Sequence, residues 1–485
     1  MISSNIQSFF FIFHFINTSI QLTNMPLQGT IISRSLEEDI ATINYVDTCF
    51  ILLCTFGVFI ITPGIGMFYG GMLRRKNILA ILFQSYAITA VISIQWYLIG
   101  YSLAVSPTGG SFYGNFRLGA LQNFDGQMLA GSGTIPEILY FIFSAFFPVC
   151  TVQIFVGAIA ERGRLLPSLV VGFIWTTVVY CPIAYWVWSG NGWLNKLGSL
   201  DFAGGGPVHI ASGIASLSYS LFIGKRSNSP KKGNAKYRPQ NPSTVFIGAT
   251  LIWFGWFAFN SGTGLAVNLR TAYIVANTHI AACSACATWI ALDRIFTGRF
   301  SITGACEGAI AGLVAITPSC AYVAPWAAFV SGAITAAVCR LSHKVTHYLN
   351  IDDTIEAFNL HAIGGIVGGI LLGFFASPRV AALDGATEID GGWVAHHWIQ
   401  LGHQLADICA ISLWSFVLTY IICFCVNYIP GLHLRLTPEE ELAGCDMMEI
   451  YEVGGAYDEE PETAAPIFGQ SFAGNASPAD LSEKV

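Results

Sequence analysis

The feature that most constrains this chain is the recurrence of apolar runs of about 18–25 residues, broken by Gly, Pro or basic clusters. As a helix, a run of that length crosses a hydrocarbon core of about 30 Å, and in lipid only helices and closed barrels satisfy every backbone polar group. Eleven runs are predicted as helices, at roughly 48–72, 78–105, 135–160, 165–188, 205–224, 243–266, 271–292, 301–317, 321–342, 357–377 and 397–429. Of the 485 residues 54% are hydrophobic and 11% charged, and the mean hydropathy is +0.59. That excludes an ordinary soluble domain. The expected fold class is an all-α polytopic membrane protein with eleven transmembrane helices.

The net charge of −7 gathers largely in an acidic tail from Glu439 onward, and no basic stripe suggests nucleic acid. Lys and Arg set the orientation. With the N-terminus outside, the inside loops hold fifteen of them, including Arg74, Arg75 and Lys76, Arg162 and Arg164, and the run from Lys225 to Arg238. Five lie outside (Arg34, Arg117, Lys196, Arg270, Arg379), so the C-terminus is expected in the cytoplasm. Five helices precede the 225–242 loop and five follow it before a long last one. An odd number per half forces the halves to run in opposite senses, an inverted five-helix repeat with an appended eleventh helix. The expected organisation is an extracytoplasmic segment 1–44, a transmembrane domain 45–430 with halves 45–224 and 243–378, and a cytoplasmic tail 431–485. The first segment reads either as signal-like, with an Asn17 sequon, or as an extension ahead of a start at Met25.

Within this frame one pattern occurs twice. Asp201, seven residues, His209 leads into Ile-Ala-Ser-Gly-Ile-Ala-Ser; Asp353, seven residues, His361 leads into Ala-Ile-Gly-Gly-Ile-Val-Gly. Titratable groups at membrane depth are expensive and usually face a partner or a pathway, and their repetition points to a site at a repeat interface. At about 1.5 Å per residue, each His lies several Å from the midplane, on opposite sides. Bringing the two rings together requires the helices to tilt or cross.

The stretch from Asp201 through Gly204-Gly-Gly-Pro-Val-His209 and Ser212-Gly to Gly224-Lys-Arg226 resembles the signature of the ammonium transporter, methylammonium permease and Rhesus family. Pro63-Gly-Ile-Gly-Met-Phe-Tyr-Gly-Gly71, Gly157-Ala-Ile-Ala-Glu-Arg162 and Phe257-Ala-Phe-Asn-Ser-Gly262 resemble the same family, over about residues 45–450. Both histidines are present, which places the chain nearer the high-affinity fungal permeases. The resemblance implies a homotrimer in the plasma membrane, with a pore for ammonium or methylammonium through each protomer, no cofactor and no resident metal. It implies a transporter rather than an enzyme.

By the same resemblance, His209 and His361 are the paired pore histidines that carry ammonia or a proton. Phe147 and Phe259 are the stacked gate. Trp188, Phe147 and Thr263 recruit the cation in an outer vestibule, with Trp186 or Trp193 as alternatives to Trp188. Aromatic faces attract a desolvating cation by about 0.5–2 kcal/mol. Asp201 matches a carboxylate whose plain role is to cap the Gly-rich start of its helix, and whose sharper role would be a direct ammonium ligand. Pro148 is expected to bend the third helix beside the gate. Gly444, Asp446 and Glu449 resemble a cytoplasmic regulatory segment. Beyond it the acidic cluster from Asp458 to Glu462 and Ser471, Ser477 and Ser482 suit a kinase acting on a disordered tail.

The remaining candidates carry less. Cys283 and Cys286 form a CxxC inside a helix-length run, read as small buried residues, because further metal ligands at suitable spacing are missing. His279 is read as a satisfied core residue, and His396, His397 and His403 as interfacial polar residues. Three rival functions stand beside the transporter. The chain could be an ammonium sensor signalling through its tail, or a haem protein using His209 and His361 as axial ligands. A potassium channel is the weakest, for want of a carbonyl filter sequence.

Overall fold

The computed structural model describes residues 42–122, 133–227, 239–349 and 351–450. The expectations placed on Asn17 and Met25, on Lys231, Lys232, Lys236 and Arg238, and on the tail residues Asp458–Glu462, Ser471, Ser477 and Ser482 fall outside the described residues.

Hydropathy runs become long helices: α1 Tyr45–Met72, α2 Arg75–Val105, α3 Glu137–Gly157, α4 Leu165–Leu197, α5 Gly205–Ile223, α6 Pro242–Gly262, α7 Leu269–Thr297, α8 Ile302–Ile316, α9 Pro325–Leu349, α10 Phe358–Phe375 and α11 Ile399–Asn427. Among the described residues nine are long and apolar enough to cross a membrane, and α8 is a shorter apolar helix of 15 residues. Two short helices, α12 Pro438–Ala443 and α13 Cys445–Glu449, follow α11. Among the described residues there is no strand, and one antiparallel bridge joins Gly163 to Arg435. The protein is all-helical and multi-pass.

Local chemistry sets the ends. Asn44, Asn241, Asn268 and Ser301 cap α1, α6, α7 and α8 by accepting N–H bonds of the first turn. Helix α7 outruns its expected end by a full turn and stops where Gly298 adopts φ 72°. Helix α3 continues through Pro148 without a break; beside it Thr151 Oγ1 donates to the Phe147 carbonyl at 2.7 Å.

Helix α1 lies along α6, α7 is flanked by α8 and α9, and α11 runs along α5 and α10. Leu52, Phe56, Leu413, Ile421 and Phe424 remain on the exterior, an apolar face suited to lipid. The helices α5 and α10 are central, each opening with wide π turns at Gly205–Ile210 and Phe358–Ile363. Such turns re-aim side chains and recur at functional positions. Here each contains one histidine of the repeated pattern.

Candidate functional site

The rings meet because two small residues let two backbones touch. A β-carbon on Gly213, four residues after His209, would lie 2.1 Å from the Ala362 nitrogen, one residue after His361. Exchanging the halves gives the same relation: a β-carbon on Gly365, four residues after His361, would lie 2.9 Å from the Ile210 side chain, one residue after His209. At this crossing His361 Nδ1 and His209 Nδ1 stand 3.2 Å apart, with ring centroids 5.3 Å apart. One Nδ1 must donate and the other accept, so the two rings hold opposite tautomers. His209 Nε2 is buried without a partner.

A line of aromatics leads to this pair. His209 stacks on Trp256 at 5.2 Å, and Trp256 is held by its N–H bond to Thr317 Oγ1. Phe259 lies 5.8 Å from Trp256 and stacks on Phe147 at 4.1 Å and 23°. Phe147 meets Trp188 edge-on at 6.0 Å. The Phe147–Phe259 stack borders two cavities. One, about 330 Å³, is lined by Trp188, Ser144, Asp201, Thr263 and Tyr322. The other, about 30 Å³, is lined by Ile65, Phe68, Trp256, His209, His361 and Leu360, and has room for about two water-sized molecules. Its walls are almost wholly apolar, so the imidazoles are its main hydrogen-bonding groups.

Trp188 lines the larger cavity and donates to the Asp201 carbonyl at 3.1 Å. Trp186 instead donates to the Phe112 carbonyl and packs between Trp193 and Trp414, away from both cavities. Thr263 Oγ1 donates to the Phe259 carbonyl at 2.9 Å, with its side chain at the cavity wall.

Asp201 closes the start of α5. Its Oδ1 accepts the Gly204 and Gly205 N–H groups at 2.8 Å each, and Oδ2 accepts Gly206 N–H at 2.6 Å. Gly204 permits the turn with φ 108°. Burial pushes the Asp201 carboxyl up to about 6, against the pull of these three bonds. Asp353 does the same for α10, accepting Phe358 N–H at 2.7 Å, and burial pushes it up to about 7. Sequence reasoning put Asp353 in the repeated pattern yet gave it no role; the repeat itself was the signal.

At the opposite end of the helices from Asp201, charges interlock. Arg226 pairs with Glu161 at 2.7 Å and Asp352 at 2.6 Å, and Arg74 pairs with Glu161 at 2.9 Å. Glu161 holds this place with φ 73°, an αL conformation that costs a non-Gly residue roughly 1–3 kcal/mol. Burial acts upward on Asp352, but Arg226 outweighs it and holds the carboxyl at about 2. The chain after α11 docks here. Arg435 binds Glu441 and the carbonyls of Ile223 and Lys225; Asp446 accepts Ala80 N–H; Glu449 pairs with Arg164 at 3.1 Å. Gly444, at φ 105°, passes so close to Lys76 that a β-carbon would lie 2.7 Å from the Lys76 carbonyl oxygen.

Two expectations need correction. His279 is on an exposed face, 5.5 Å from Trp253 and beside Cys283, and is not a core residue. Cys283 is likewise exposed and Cys286 half-buried. These side chains turn outward on α7, a direction that hydropathy within a uniformly apolar run does not encode.

Residues 49–454 match the family model described as the Ammonium Transporter Family. The chain belongs to the ammonium transporter family. It is 46% identical over 476 residues to Ammonium transporter 3 of Schizosaccharomyces pombe, covering 87% of this chain and 92% of that protein. It is 40% identical to Ammonium transporter MEP2 of Saccharomyces cerevisiae, covering 91% of each. The fold is similar to the crystal structure of Candida albicans Mep2, with TM-score 0.81, 41% identity, and 90% and 95% of the two chains covered. It is also similar to a sensor Amt protein, with TM-score 0.76, 26% identity, and 83% and 98% covered.

Proposed function

We propose that this chain carries ammonium across the plasma membrane as a homotrimer, one pore per protomer, through eleven spans arranged as an inverted five-helix repeat plus α11. In this reading Asp201 faces outside and the Arg226 network faces the cytoplasm, as the Lys and Arg distribution expects. The observation that carries the reading is the imidazole pair in an apolar cavity separated by a stacked Phe147–Phe259 from a larger, more polar one.

Ammonium enters the larger cavity, where the aromatic faces of Trp188 and Phe147, the Thr263 hydroxyl and the Asp201 charge favour a cation. Beyond the Phe stack an unpaired cation would lose its hydration without replacement, at far greater cost than a neutral molecule. The proton therefore leaves before the stack, and ammonia passes to His209 and His361. Each neutral ring offers one donor and one acceptor, so the pair can hydrogen-bond ammonia or pass a proton by exchanging tautomers. Residues 431–450, docked through Arg435, Gly444, Asp446 and Glu449, act as a regulatory segment for the inner mouth.

The test is an ammonium jump on proteoliposomes holding the purified protein, with membrane current and internal pH recorded together. Current abolished by His209→Ala supports net charge transfer through the pair. Alkalinisation without current supports ammonia passage alone. Silence in both records from folded protein removes the transport reading. A second reading, an ammonium sensor acting through its tail, is favoured by the docked segment after α11 and the likeness to a sensor Amt protein. Downstream signalling retained by a His209→Ala protein that no longer transports would support it.

A further inference from the structure

Helix α11 contributes one ionisable residue to the interior that the pore does not use. Asp407 is only 3% exposed, and its Oδ1 is buried with no hydrogen-bond partner. It sits eight residues into α11, in a stretch that packs against the start of α5. A β-carbon on Gly206 would lie 3.1 Å from Asp407 Oδ2 and 3.3 Å from Asp201 Oδ2. Two buried carboxyl groups therefore reach the same point of the backbone, on the wall behind the larger cavity.

Their surroundings differ. Asp201 accepts three backbone N–H bonds, which favour its anion. Asp407 accepts none among the described residues. The other titratable side chains on the elements around it are His403, one turn away, with Cys409, Tyr420, Cys423 and Cys425 on α11; His209 and Tyr219 on α5; His361 on α10; and Tyr180, Cys181, Tyr185 and Lys196 on α4. Among the described residues none forms an ion pair with Asp407, and the carboxyl group that reaches the same point of the backbone is that of Asp201. Two like charges this close in a low-dielectric wall do not both ionise.

We propose that Asp407 is a proton-binding site: with Asp201 it forms a carboxylic acid–carboxylate pair in which Asp407 holds the single shared proton and Asp201 carries the charge. The pair then presents one negative charge, not two, behind the cavity at neutral pH. The order of titration follows from this assignment. Raising the pH removes the proton from Asp407 and adds the second charge; lowering it protonates Asp201 and leaves the wall neutral.

The test uses the full-length protein in lipid bilayers, without ammonium, so its first arm is independent of transport. Infrared spectra are recorded while pH is raised from neutral to 9. The wild type should show a carboxylic-acid C=O band that Asp407→Asn removes and Asp407→Glu restores. In Asp201→Asn that band should disappear at lower pH than in the wild type, because the neighbouring charge is gone. A wild-type spectrum identical to that of Asp407→Asn at neutral pH, or no shift in Asp201→Asn, overturns the proposal. A second arm rests on the transport reading above. The KM for methylammonium in wild type and Asp407→Asn should coincide at pH 6 and separate several-fold by pH 9, the wild type becoming tighter as Asp407 ionises. A several-fold difference already present at pH 6 would mean that Asp407 is charged there, and the assignment fails.

Discussion

Gly213→Ala puts the crossing of α5 and α10 under direct test. The added β-carbon would sit 2.1 Å from the Ala362 nitrogen and 2.7 Å from its α-carbon, both backbone atoms that cannot rotate aside. An ordinary contact needs about 3.5 Å, so the helices must part by more than an ångström. Overpacking of this kind typically costs about 1–3 kcal/mol, within what a packed membrane domain survives. The parting falls at the histidines, because Ala362 adjoins His361 and Gly213 lies one turn from His209. The Nδ1–Nδ1 separation, now 3.2 Å, then passes beyond hydrogen-bond range. Methylammonium uptake in cells lacking their own transporters should fall at least about tenfold, the effect of about 1.4 kcal/mol on a rate-limiting step. Gly365→Ala, whose nearest contacts are 2.9 Å, should lose less, and Gly110→Ala, with nothing within 4 Å, should lose nothing. Surface expression and a monodisperse peak on size exclusion exclude misfolding. Full uptake by a well-folded Gly213→Ala protein would refute the argument that this contact holds the pair together.

Other perturbations probe the remaining parts of the site. Phe147→Ala removes a stacking partner worth about 0.5–1.5 kcal/mol beyond its area and joins the two cavities, so proteoliposomes holding it should pass potassium current that the wild type excludes. Arg226→Ala leaves the buried carboxylates of Glu161 and Asp352 short of their shared partner. Breaking such pairs costs about 3–5 kcal/mol, and thermal unfolding in detergent should drop by several degrees, whereas Arg164→Ala at the half-buried Glu449 pair should change it less. Asp353, raised to about 7 in the fold from an ordinary carboxyl value, gives stability that is full below that ordinary value. That stability is lost as pH climbs through about 7, so the wild type should melt lower at pH 8 than at pH 5. Asp353→Asn should flatten that dependence.

Much of this was legible because the bilayer limits the choices. Spanning helices must be long and apolar, and the runs read from hydropathy coincide with α1 to α11 apart from their ends. His209 and His361 stood out because polar residues are rare in such runs, and Asp201 because it opens the repeated pattern ahead of His209. What stayed hidden depends on partners far away in the chain. Arg226 and Asp352 are 126 residues apart, and Glu161 meets Arg74 across 87. No local pattern marks these pairs. The choice of Trp188 over Trp186 turned on which way two indoles on the same helix point. Asp407 passed unnoticed because one carboxyl barely alters the hydropathy of a 29-residue helix.

The crossing itself was encoded in the sequence, in a pattern longer than Asp, seven residues, His. Both halves continue four residues further to a glycine, Gly213 and Gly365, so Asp, His and the close-contact residue keep the same spacing twice. Each member does a separate job in the fold. The Asp accepts N–H bonds at the start of its helix, the His reaches its counterpart, and the Gly admits the opposing backbone. Helical residues advance about 100° each, so one residue more or fewer between His and Gly would turn the small residue away from the contact. Equal spacing in both halves is therefore what two helices need to meet reciprocally, each His beside the glycine contact of the other. Two unrelated core histidines would have no reason to share it.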